Sequence, residues 1–362
     1  MDRAVETLPD DATLTERLRA GDPLERPEIA VLLAWSKIAL YDDLLASGTP
    51  DDPYLAKELV RYFPSLMRER FAEAIAGHRL RREIIATMLS NAMINRGGPA
   101  LVVRLMDQTG APPSRIAAAF AVARDAFRMD EVHDEIDSLD TKIPGALQLD
   151  LYAGMRELLL HRMVWFLRNV DLDAGLDGVV ARFQAGVDAV AAGLDAALGP
   201  DAAARRSARA TELVRAGLPG SLAVRFSALL AMEGATDAVL IAEKTGRPID
   251  VAAAALFAVA DEFQLARMVR AAQAISVADY YDRLALDRAL DQIGVAARAM
   301  AVAALAAEPC LDGWSAVAAW TESAPDVARV RRAVGEIAGG GLTLARMTVA
   351  SSLLGDLARD VA

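Results

Sequence analysis

The sequence has 362 residues, with 39 Lys+Arg against 50 Asp+Glu and a formal net charge of −11. A pI near 4.9 argues against a general nucleic-acid binder, which needs a basic face to displace counterions from phosphates. A hydrophobic fraction of 54% excludes a disordered chain, and the single cysteine, Cys310, excludes a disulfide framework or a cysteine-built zinc site.

The first 18 residues are acidic and polar, without the basic segment and apolar run of a signal peptide. Charges cut the apolar stretches short, so no membrane span is expected. These features imply a cytoplasmic protein that engages neither membrane nor nucleic acid. Ala, Leu, Arg, Glu and Met dominate, and these residues favour helices. Alternating Val/Ile/Thr runs bounded by turns, the mark of strands, are missing. The expected class is all-α: two helical lobes, 1–168 and 201–362, joined by a long helix over 169–200, with no Rossmann domain.

Thr13 and Glu16 have the spacing of a capping box for a first short helix. Pro27 and Glu28 open a second helix, which runs to Ser47-Gly48. Asp52-Pro53 opens another, ending before Pro64. Ser65 to Arg96 reads as a helical pair broken at Gly77. Gly97-Gly98-Pro99 then stops one helix and starts the next.

Residues 109–127, TGAPPSRIAAAFAVARDAF, are echoed by residues 245–263, TGRPIDVAAAALFAVADEF. At an offset of 136, Thr109/Thr245, Gly110/Gly246, Pro112/Pro248, Asp125/Asp261 and Phe127/Phe263 coincide, with Ser114 and Asp250 as expected N-caps. The echo fits either an internal duplication or convergent turn chemistry. Between the copies, Leu176, Val180, Phe183, Val187, Val190 and Leu194 alternate steps of four and three, the seam of a coiled coil. That seam fits an internal helical hairpin or a subunit interface.

Familiar catalytic patterns are missing. No G-x-G-x-x-G or Walker loop occurs. His78, His133 and His161 are far apart, and Asp42-Asp43 lacks the third carboxylate of a D-D-x-x-D site. One polar group stands out: Asn91 and Asn95 share a helix face, and Arg96 follows. Asn disfavours helix interiors, so the pair serves either the helix end or a neighbouring domain. Lys37, a rare lysine on an apolar helix, is expected to pair with Glu28 or Asp42.

Several stretches together resemble the C-terminal region of the large bacterial NAD-specific glutamate dehydrogenases. They are DRAVETLP, ERPEIAVLLAWSKIALYDDLLAS, DDPYLAKELVRYFP and HRLRREIIATMLSNAMINRGGPALVVRL. Weaker support comes from GLPGSLAVRFSALLAME, TGRPIDVAAAALFAVADEFQLARM and LTLARMTVASSLL. Trp35 stands where the family more often has Tyr. The resemblance implies oxidative deamination of L-glutamate to 2-oxoglutarate and ammonia, with NAD as the cofactor of the full-length enzyme. It also implies a catalytic region lying before this segment. The chain is then expected to be a C-terminal fragment, with Met1 a cloning start or a substitute residue. It would bind no cofactor or metal itself and carry no catalytic residue.

Expected partners are the catalytic and N-terminal parts of the same polypeptide, in a homo-oligomer. Glu28, Lys37, Asn91, Asn95 and Arg96 are candidates for the interdomain contact. Leu176, Val180, Phe183, Val187, Val190 and Leu194 are candidates for the subunit seam. A free-standing helical scaffold that binds other proteins is the alternative.

Overall fold

The computed structural model describes residues 6, 8–272, 274–277 and 279–361. Residues 2–5 and 7 of the DRAVETLP stretch lie outside the described residues. Every regular element among the described residues is helical. Two compact units emerge. One holds residues up to 141 together with 145–181; the other holds 142–144 and residues from 182 onward.

The first unit contains α1 (Asp11–Ala20), α2 (Arg26–Leu45), α3 (Ala56–Tyr62), α4 (Ser65–Arg70) and α5 (Ala72–Ala76). It continues with α6 (Arg81–Gly97), α7 (Leu101–Thr109), α8 (Pro113–Ala126), α9 (Met129–Asp137) and α10 (Gly145–Asn169). Helix α11 (Leu176–Ala197) runs from the first unit into the second. The second unit follows with α12 (Pro200–Arg215), α13 (Gly220–Ala231), α14 (Ala235–Thr245), α15 (Ile249–Glu262) and α16 (Leu265–Ala272). It closes with α17 (Tyr280–Ala307), α18 (Gly313–Ser323), α19 (Pro325–Gly339) and α20 (Leu344–Asp360).

The start signals hold with local corrections. Glu25 and Glu28 form the capping box of α2, with Pro27 in its first turn. Helix α1 is capped by Asp10 rather than Thr13: the Thr13 amide donates to Asp10 Oδ1 at 2.8 Å. The stretch from Ser65 breaks twice, not once. Phe71 departs from helical geometry at φ −130°, and Arg68 turns back to donate to the Phe63 and Arg61 carbonyls. Helix α17 runs 28 residues and is apolar and long enough to cross a membrane, against expectation. Its apolar face is instead buried in the core of the second unit, where Ile293, Met300 and Ala304 pack in one cluster with Met347 and Leu354 of α20.

The sequence echo is a three-dimensional one. Both α7 and α14 end at the echoed threonine and are capped by a glycine of positive φ, Gly110 and Gly246. Each threonine hydroxyl donates back one turn and accepts from the amide two residues ahead. Helices α8 and α15 begin and end at the same offset, followed by Phe127 and Phe263 and then by Arg128 (φ 48°) and Gln264 (φ 54°). The N-caps are Pro112 and Pro248, two residues before the expected Ser114 and Asp250. The tight Gly-x-Pro turn brings the chain into helix early, so the proline carbonyls accept the first helical bonds.

Candidate functional site

A half-open cleft of about 570 Å³ lies in the first unit, lined by residues of α3, α4, α6, α8, α9 and α10. Its inner wall is a buried ion cluster. The Arg124 side chain is 4% exposed; it donates to Glu58 at 2.6 Å and to Asp125 at 2.8 Å, and lies 3.3 Å from Asp130. Arg61 donates to Asp130 at 2.7 Å and lies 3.5 Å from Glu58. Behind Arg124, Asp125 also accepts from Tyr54 Oη at 2.8 Å and from Lys57 Nζ.

The electrostatics follow from burial and pairing. Burial opposes ionisation of Asp125, but Arg124 and Lys57 outweigh it and hold the carboxyl below its ordinary value. Burial likewise works against the Arg124 proton, while Asp125, Glu58 and Asp130 raise its value overall. Burial lowers Lys57, only partly offset by Asp125. Burial and the Asp125 charge raise the Tyr54 hydroxyl. His133, 4% exposed, lines the same cleft. Burial and the Arg96 charge push it down to about 4, with Asp130 and Asp137 pulling the other way. Among the described residues no group meets full hydrogen-bond geometry at its Nδ1, though the Met129 backbone lies close enough to favour the cation, and its ring stacks on Tyr152.

Asn95 and Arg96 line this cleft; Asn91 is half-buried one turn earlier on α6 and is not part of the lining. Arg96 sits over the Tyr152 ring and reaches Asp137 at 3.4 Å. Glu28 and Lys37 lie on α2, away from the lining. Glu28 pairs with Arg17 at 2.9 Å and accepts from the Glu25 amide, so the expected Lys37 partner is already engaged. Nine residues of helix put Lys37 about 13 Å along the axis from Glu28, and Asp42 lies on another face. Among the described residues Lys37 forms no ion pair. All six seam residues, Leu176, Val180, Phe183, Val187, Val190 and Leu194, are buried, so the seam presents no open face.

Sequence reasoning missed Glu58, Arg61, Arg124, Asp130 and His133. A signal was present in the echo, in its differences rather than its identities. At the same offset Arg124 corresponds to Ala260, Asp130 to Ala266, His133 to Val269, Asn95 to Ala231 and Arg96 to Met232. At these five positions the second copy carries small or apolar side chains, while Asp125 keeps an acidic counterpart in Asp261 and Asp134 corresponds to Arg270. The helical frame therefore forms without a charge at those five positions. Burying them costs desolvation that pairing only partly returns, so their presence in one copy marks a site.

The profile of the family described as "Glutamate dehydrogenase, C-terminal" matches residues 21–356, which take in the cleft and both copies of the repeat. The chain belongs to that family. Three curated relatives are each called NAD-specific glutamate dehydrogenase. The Pseudomonas aeruginosa protein is 33% identical over 99% of this chain and 22% of its own length. The Halomonas elongata protein is 31% identical over 81% of this chain and 18% of its own, and the Mycobacterium tuberculosis protein 30% over 97% and 22%. This glutamate dehydrogenase C-terminal chain thus spans about a fifth of the length of the curated relatives it matches.

Proposed function

We propose that this chain is the helical, non-catalytic C-terminal part of an NAD-specific glutamate dehydrogenase. The whole polypeptide oxidatively deaminates L-glutamate to 2-oxoglutarate and ammonia, with NAD as the oxidant held outside this chain. Family membership and the one-fifth coverage of the relatives support that reading. The observation that carries a role for this part is the polar cleft, whose Asn95, Arg96, Arg124, Asp130 and His133 correspond to Ala, Met, Ala, Ala and Val in the other copy.

Hydride transfer needs the nicotinamide and the glutamate carbon fixed at near-attack distance. A helical body docked on the catalytic part restricts its motion. Asn95, exposed at the mouth of the cleft, and Arg96, held by the long Asp137 contact and the Tyr152 ring, offer their polar groups to that part. A cytoplasmic homo-oligomer belongs to the same proposal, with the subunit contact on a surface other than the buried seam.

The test is Asn95→Ala with Arg96→Ala in the full-length polypeptide. We expect kcat to fall about tenfold, as when a positioning contact is lost, with helicity by circular dichroism unchanged. Unaltered kinetics reject the role given to the cleft.

A further inference from the structure

The echoed frame shows a second asymmetry, on the outer faces of α7 and α14. In the second copy the outer face of α14 carries Ala238, Val239 and Ala242, at 1% and 5% exposure for the first two. Helix α11 covers it. Gly186 of α11 approaches so closely that a Cβ there would collide with Val239 and crowd Ile249. In the first copy the equivalent face of α7 carries Val102, Val103 and Met106. It is bare: Val103 is 63% exposed and Met106 41%. These side chains wall an apolar groove of about 310 Å³ whose other side is Trp35, Ala39 and Leu40 of α2.

We infer that this groove seats an apolar helix from the part of the polypeptide outside these 362 residues, with a Gly or Ala where it crosses Val103. The inference rests on the reading of this chain as part of a longer glutamate dehydrogenase. Three observations point to that occupant. The second copy fills the same position with a helix, and the close approach there requires a residue without a side chain. Glu6, the first described residue, accepts a hydrogen bond from Trp35 Nε1 at the groove's edge, so the described chain starts beside the groove. About four-fifths of each curated relative lies outside the match, which leaves ample chain to supply the helix. Asp43 on the rim favours a basic residue on the incoming helix.

The test places a benzoylphenylalanine photo-crosslinker at position 103 of the full-length polypeptide and maps the product by mass spectrometry. The expected product joins α7 to an apolar, helix-periodic peptide from outside these 362 residues. In Val103→Asp, amides of that same peptide should exchange about tenfold faster, while Val349→Asp on α20 leaves them unchanged. Crosslinks confined to these 362 residues, or no crosslink and no change in exchange, overturn the inference. Finding only a 362-residue polypeptide in the cells rejects the underlying reading instead, so the two failures are distinct.

Discussion

Arg124 Nη2 donates to Glu58 Oε1 at 2.6 Å, and neither side chain is more than 4% exposed. Helices α3 and α8 are thus tied by a charge pair shut off from water. Removing Glu58 leaves Arg124 buried beside only Asp125 and Asp130. Glu58→Ala should cost roughly 3–5 kcal/mol, the usual effect of breaking a buried pair. Adding Arg124→Ala should cost less than the sum of the two single changes, because the stranded charge is gone. Urea unfolding of the four species measures this cycle.

His133 gives the first unit a pH dependence. Its folded value, about 4, lies below the ordinary 6.5 because burial and Arg96 disfavour the cation. The unfolded chain therefore binds the extra proton more readily between those values. Stability from the neutral ring is present above pH 6.5 and is lost as pH falls toward 4, by up to about 3 kcal/mol. His133→Val, the residue of the second copy, should flatten that part of the stability profile. Thermal midpoints from pH 4 to 7 compare the two.

Gly313 and Gly178 should respond oppositely to alanine. A Cβ on Gly313 meets the backbone of α15 at Val251 and Ala255, so Gly313→Ala should destabilise by about 1–3 kcal/mol through overpacking. Gly178 is exposed inside α11 with nothing near its Cβ position. Gly178→Ala should stabilise by about 0.5–1 kcal/mol through helix propensity. Denaturant midpoints of the two variants decide the matter.

The helices were legible because their punctuation is strong. Pro27, Asp52 and Gly98 each stop or start a helix by fixed backbone chemistry, and Gly98 does so at φ 90°. The break at Phe71 was not legible: beside it Arg68 reaches back to the Arg61 and Phe63 carbonyls, contacts made only in the folded unit. The site was half legible. Asn95 and Arg96 stood out with Asn91, because Asn disfavours helix interiors. Glu58, Arg124 and Asp130 did not, because they lie on three helices and meet only in the folded unit. Arg124 looked like any charge in an Ala-rich helix until its repeat equivalent, Ala260, showed that the position needs none. The seam of α11 was legible as a pattern, but no pattern states which surface a seam covers.

This chain is proposed to work as part of a much longer dehydrogenase. The direct test precipitates the native polypeptide from source cells with an antibody against this chain, then measures its mass and its glutamate-dependent reduction of NAD. The expected result is a polypeptide about five times this length, in proportion to its relatives, with NADH formed in the precipitate. A polypeptide of 38.5 kDa without that activity would contradict it.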